Sequence, residues 1–142
     1  MSLFGSLSVS ASGMSAQRIR AALLVENIAN SETTRTAEGG PYRRKDAVFS
    51  TESVGSEFAS ELESQLQTGV KVSSISIDQR EPERTYAPNS PDADADGYIY
   101  SPRVNPAEDM VDLTTANRSY QANVAAMSAV KDMISKSIDL LR

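Results

Sequence analysis

The chain has no cysteine, no histidine and no tryptophan, and aromatic residues make up only 6% of it. Without cysteine there is neither a thiol nucleophile nor a disulfide staple, and the lack of thiolate and imidazole together removes the usual zinc ligands. Without histidine an imidazole general base is excluded. No apolar run approaches the ~20 residues that span a bilayer, so no direct lipid contact is expected. The opening stretch MSLFGSLSVSASGM carries no basic segment and interleaves its apolar residues with serine, which makes a poor signal peptide. The N-terminus is therefore expected to stay on the chain. Basic charge is short as well. The 14 basic residues face 19 acidic ones for a net charge of −5, and no basic face for nucleic acid follows from that balance.

What is present is a chain of 142 residues, long enough for one domain with a core and too short for two comfortable ones. With 39% apolar residues it is lean for a compact globule, so partners are expected to cover part of its apolar surface. There are no internal repeats and no low-complexity tracts.

The clearest element is C-terminal. Asn105-Pro106-Ala107-Glu108 supplies a cap residue, a proline at the first helical position and a glutamate three residues after the cap. Glu108, Asp109 and Asp112 lie in the positive first turns, and Lys136 and Arg142 lie near the other end, as the helix dipole favours. No glycine or proline interrupts 107–142, so the spacing predicts a C-terminal helix over 105–142. Its apolar positions recur at 3, 4 spacing through Met110, Leu113, Asn117, Tyr120, Val124, Met127, Lys131, Ile134, Ile138 and Leu141, a coiled-coil-like seam interrupted by Asn117 and Lys131. An N-terminal helix over 1–30 has the same rhythm at Leu7, Ala11, Met14, Arg18, Ala21, Val25 and Ile28. Gly13 should weaken it by roughly 1 kcal/mol relative to alanine. Neither helix can bury its stripe alone.

Between them, 31–104 reads as a small β-rich middle region. Short strands are expected at 41–50, 70–77, 83–88 and 97–102, bounded by glycine and proline. Val70 and Val72 are out of phase with Ile75 and Ile77, which predicts a bulge at Ser73-Ser74. An acidic insert at 51–69 places Phe58, Leu62 and Leu66 at helical spacing before Gly69, and a short amphipathic helix is the expectation there. The fold class is thus α+β, with long N- and C-terminal helices packed as a coiled-coil-like pair around this middle region.

Three local patterns resemble sites. Asp92, Asp94, Asp96 and Gly97 match the opening of a calcium-binding loop, but Arg103 stands where the bidentate glutamate belongs, and Pro88, Pro91 and Pro102 forbid the flanking helices. A tight turn is expected, in which aspartate side chains bond nearby backbone N–H groups and Gly97 supplies a positive φ. Ser128 and Lys131 have the S-x-x-K spacing of serine–lysine acylases, but the companion motifs are absent and the pair lies on a helix. Arg43, Arg44 and Lys45 form a basic cluster, read either as solvated strand-edge charges or as candidate contacts to an acidic partner surface. The residues select no catalytic group and no metal ligand. They leave open a non-enzymatic coiled-coil dimer or a calcium-responsive interaction module.

The stretch SASGMSAQRIRAALLVENIANSETTRT (10–36) is similar to the N-terminal signature of the bacterial flagellar rod, hook and related axial proteins. Residues 39–46 (GGPYRRKD), the PDADADGY turn (91–98) and NPAEDMVDLTTANRSYQANVAAMSAVKDM (105–133) resemble the proximal rod proteins of that family more narrowly, while the acidic insert departs from its pattern. The resemblance implies a structural subunit of the basal-body rod, without enzymatic activity, cofactor, small-molecule substrate or nucleic-acid partner. It implies passage through the flagellar type III export apparatus without a cleaved signal peptide, and assembly into a helical tube crossing the periplasm. The implied partners are copies of itself, other rod subunits, more distal rod proteins, and base proteins such as the export gate, rod adaptor and MS ring. Asn27, Ile28, Ala29 and Asn30 fall on the N-terminal motif, and Arg118, Ser119, Tyr120, Gln121, Ala122 and Asn123 on the C-terminal one. Together with the seam residues, these are the expected assembly contacts.

Overall fold

The computed structural model describes residues 3–37, 39–53 and 68–140. In chain order it contains helix α1 (Leu3–Ala29), strands β1 (Lys45–Ser53), β2 (Thr68–Ile77), β3 (Glu83–Tyr86) and β4 (Tyr98–Ser101), and helix α2 (Pro106–Asp139). The fold class is the expected α+β arrangement of two long terminal helices around a small antiparallel region.

Helix α2 begins as its capping residues dictate. Asn105 has extended backbone, and its side chain accepts a hydrogen bond from the Ala107 N–H at 3.2 Å. Helix α1 has no acidic first turn and no basic last turn, so its ends gain nothing from the dipole and tertiary packing must hold it. The two helices run antiparallel: Arg20 pairs with Asp112 at 3.2 Å, while Gly13 faces Asn123 further along. A Cβ built on Gly13 would come within 3.0 Å of Asn123 Nδ2. The glycine that reads as a weakness in an isolated helix is where the Asn123 side chain of the second helix leaves no room for a Cβ without a shift.

The strands form two separate two-stranded antiparallel ribbons, β1–β2 and β3–β4. In the first, pairing runs from Lys45↔Ile77 to Ser53↔Thr68 and steps from Val48↔Ser74 to Phe49↔Val72. Ser73 is the extra residue, and its Oγ donates to the Val48 carbonyl at 3.1 Å, so the bulge lies where the phase break predicts it. This ribbon rests on α1, with the Val70 N–H donating to Ser12 Oγ at 3.1 Å. Strand β1 starts at Lys45, not at 41, because Pro41 to Arg44 form a loop whose Tyr42 N–H bonds the Thr33 carbonyl at 3.0 Å. The stretch 51–69 is strand at both of its ends, through Ser53 and from Thr68. The helix expected around Phe58, Leu62 and Leu66 lies outside the described residues.

The core sits between the helices and the root of β1. Among the described residues the buried apolar side chains are Ala16, Leu23, Leu24, Tyr42, Ala116 and Val130. Each of the two leucines should contribute roughly 1.5–3 kcal/mol through burial.

Candidate assembly surface

The helix seam is displaced from the stripe that the apolar pattern predicts. On α2 three residues of that stripe, Leu113, Met127 and Ile134, are half-buried against the rest of the subunit. Six others, Met110, Asn117, Tyr120, Val124, Lys131 and Ile138, are exposed. Their place in the seam is taken one residue earlier in each heptad by Asp109, Ala116, Asn123 and Val130, of which Ala116 is 1% exposed. Helix α1 behaves in the same way. Leu7, Met14, Ala21 and Ile28 are half-buried, Ala11, Arg18 and Val25 are exposed, and Ala16, Leu23, Leu24 and Asn27 carry the burial. Small residues at the crossing let the backbones approach closely and leave bulky apolar side chains outside. Met110 is 56% exposed, Val111 67% and Ile138 60%. Leu141 lies outside the described residues.

Two polar groups close the seam where it meets the middle region. Asn27, expected at a contact between subunits, is fully buried within this one. Its Nδ2 donates to the Lys45 carbonyl at 2.9 Å, and its Oδ1 accepts from the Lys45 N–H at 3.0 Å and from Tyr42 Oη at 2.8 Å. The side-chain amide thus pairs with Lys45 as a neighbouring strand would and pins the start of β1 to α1. Asn30 is also used locally: it donates to the Glu26 carbonyl at 2.9 Å and accepts from Thr33 Oγ1 at 3.2 Å. Asp109 is fully buried in the first turn of α2, with Arg44 Nη2 2.9 Å from its Oδ1. The guanidinium sits off the line of a good hydrogen bond, and neither carboxylate oxygen accepts one among the described residues. Burial pushes the Asp109 carboxyl above the usual carboxylate range; Arg44 opposes the shift, and Asp46, Asp112 and Glu108 reinforce it.

The basic cluster is largely consumed inside the subunit. Arg44 serves Asp109 and Asp46, and Lys45 Nζ reaches Glu26 Oε1 at 2.6 Å, so neither is a free edge charge. Arg43 remains exposed, with contacts to the Asp78 carbonyl and Gln79. The aspartate turn is a hairpin loop in which the Asp94 N–H bonds the Tyr98 carbonyl at 2.8 Å and Gly97 has a φ of 80°. Among the described residues its aspartate side chains accept from no nearby N–H group; Asp92 accepts instead from Thr34 Oγ1 at 2.8 Å. Among the described residues no group of three acidic side chains is placed to hold a metal ion. Ser128 and Lys131 are both exposed on α2, with no buried pocket enclosing the pair.

Burial raises the Tyr42 hydroxyl to about 12, with the Glu26, Asp109 and Asp46 carboxylates adding to the shift. The folded state then holds the phenolic proton after the unfolded chain has lost its own. Folding stability should therefore be unaffected by this group below pH 10 and fall as pH rises from about 10 to about 12. Urea titrations at several alkaline pH values should show this loss, and Tyr42→Phe should flatten it. Equal slopes for the two proteins would show that Tyr42 carries no such linkage.

Residues 95–140 match the family model described as the C-terminal part of the flagellar basal body rod FlgEFG proteins. The chain is 44% identical to the flagellar basal-body rod protein FlgC of Bacillus subtilis, covering 99% of both chains. It is 36% identical to FlgC of Borreliella burgdorferi over 100% of this chain and 99% of that one. With FlgC of Salmonella typhimurium it shares 35% identity over 99% and 98% of the two chains. No helix among the described residues is long and apolar enough to cross a membrane. With near-complete coverage at these identities, and with the paired terminal helices that the N- and C-terminal motifs imply, the chain belongs to the FlgC family of flagellar basal-body rod proteins.

Proposed function

We propose that this chain, a structural subunit of the bacterial flagellar basal-body rod, joins its neighbours through the apolar stripes that α1 and α2 leave exposed. The observation that carries the reading is the displacement of the internal seam. Ala116 and Val130 hold the helices of one subunit together, while Met110, Val111, Val124 and Ile138 face outward on a helix 34 residues long. Such a stripe is unfavourable in water and becomes favourable once helices of other copies or of other rod subunits cover it. Contacts to the export gate, rod adaptor and MS ring at one end, and to more distal rod proteins at the other, use the same surface. Export through the type III apparatus precedes docking, and the assembled tube crosses the periplasm.

The family relationship makes the chain a structural protein and not an enzyme, and it sets aside the free coiled-coil dimer and the calcium-responsive module. In the bacterium that makes it, a tagged copy should be recovered in the detergent-insoluble basal-body fraction, and deletion should abolish filaments. Recovery only as a soluble monomer or dimer, in cells that swim after deletion, would end this reading.

A further inference from the structure

The β3–β4 hairpin carries opposite charge at its two ends. At the open end, next to Pro82, a cavity of about 40 Å³ is lined by Arg43, Arg44, Arg80, Arg103 and a single carboxylate, Asp78. Arg44 is already matched by Asp109. Asp78 holds Arg80 in a fork, with 2.9 Å and 2.6 Å contacts, and is itself kept low, at about 2, chiefly by hydrogen bonds from Arg80. Three guanidinium groups thus surround one carboxylate in a chain whose net charge is −5. Among the described residues no carboxylate within 4 Å pairs with Arg43 or Arg103. At the closed end, the loop from Tyr86 to Tyr98 exposes Asp92, Asp94 and Asp96. That loop is braced by backbone hydrogen bonds from Asp94 to Tyr98 and from Gly97 to Asp94, and by the Tyr86–Tyr98 ring contact at 5.2 Å. About 10 Å of paired strand separates the two ends at 3.4 Å per residue, and no cleft arginine pairs with a carboxylate of the turn in the same chain.

We infer that the arginine cleft at the open end of this hairpin receives the Asp92–Asp96 turn of a second copy of the chain. The inference rests on the rod-subunit reading above and names one of its contacts. The cleft has room for a carboxylate group, and guanidinium planes recognise carboxylates through paired N–H donors. Because the turn is already ordered, docking it costs little conformational entropy. Donor and receptor lie at opposite ends of one element, so the contact is head-to-tail. A contact of that kind is not a two-fold dimer; it builds a ring where its rotation closes and a helical array where it does not, and the rod is the second case.

The chain has no cysteine, which makes the test clean. Ala95→Cys beside the turn carboxylates and Glu81→Cys beside the cleft, which leave the pairing groups in place, are made separately and then co-expressed in cells lacking the unaltered chain, and isolated basal bodies are treated with a short bis-maleimide. Both residues are exposed, so both variants should fold as the parent does. The expected result is a cross-linked dimer from the co-expressed pair and none from either variant alone. Recovery of both variants in basal bodies without that dimer overturns the inference and leaves the rod-subunit reading standing. Absence of even the unaltered chain from basal bodies overturns both.

Discussion

Val124→Asp should leave the subunit folded and keep it out of the rod. Val124 is 42% exposed on the outward stripe of α2, so a carboxylate there meets water in the free subunit. Surface substitutions of this kind generally change stability by no more than about 0.5 kcal/mol. If neighbouring helices cover the stripe, the same carboxylate is buried without a partner, at a cost of several kcal/mol, and the apolar contact of the valine is lost as well. Every 1.4 kcal/mol is a factor of ten in affinity, so docking should weaken by about 10³-fold or more. Cells carrying only this variant should make no filaments and should not swim. Lys136→Asp, an exposed position off the stripe, is the control and should swim. A swimming Val124→Asp strain, or a purified variant that has lost its thermal transition, would contradict the assignment of the stripe to assembly.

Asn27→Leu should be among the most damaging single changes to the subunit itself. Leucine keeps the branched skeleton of asparagine, but its methyl groups are bulkier, so at this fully buried position the change adds crowding to the lost hydrogen bonds. Three partners lose their hydrogen bonds: the Lys45 N–H, the Lys45 carbonyl and Tyr42 Oη. A buried polar group left without a partner costs about 1–3 kcal/mol, so three such losses total about 3–9 kcal/mol, a large share of a small domain's stability. Tyr42→Phe removes only one of these bonds and should cost about 1 kcal/mol. Urea midpoints should fall in that order at unchanged slope. If Asn27→Leu lay within about 1 kcal/mol of the parent, the pairing of Asn27 with Lys45 would not be what fixes β1 to α1.

The contrast between these two positions explains why one motif residue reads so differently in sequence and in structure. Asn27 belongs to a polar signature, and polarity at a helix position gives no indication whether the side chain meets a neighbouring molecule or a strand edge of its own chain. Lys45, its partner, is 18 residues away across a loop, and a pairing at that separation leaves no periodic trace. Arg44 and Asp109 are further apart still, so a cluster that looks like free edge charge is spent on a buried carboxylate. Gly13 was legible only as a cost to helix propensity, because the Asn123 side chain that excludes a larger residue comes from the other end of the chain.

Local chemistry determined what depends on neighbours in the chain. Pro106 after Asn105 set the start of α2, the phase break around Ser73 set the bulge, and Gly97 set the positive-φ turn. The absence of cysteine and histidine closed whole classes of chemistry before any fold was known. The 3, 4 apolar rhythm established that both helices need partners. Which partner covers which residue was decided only by tertiary packing. A helix surface offers a continuous band, and hydrophobic burial is non-directional. The band's inner edge, Leu113, Met127 and Ile134, turns toward the rest of the subunit, and Met110, Val124 and Ile138 turn away because the small and polar side chains of Ala116, Asn123 and Asp109 allow α1 to come closer on the other side.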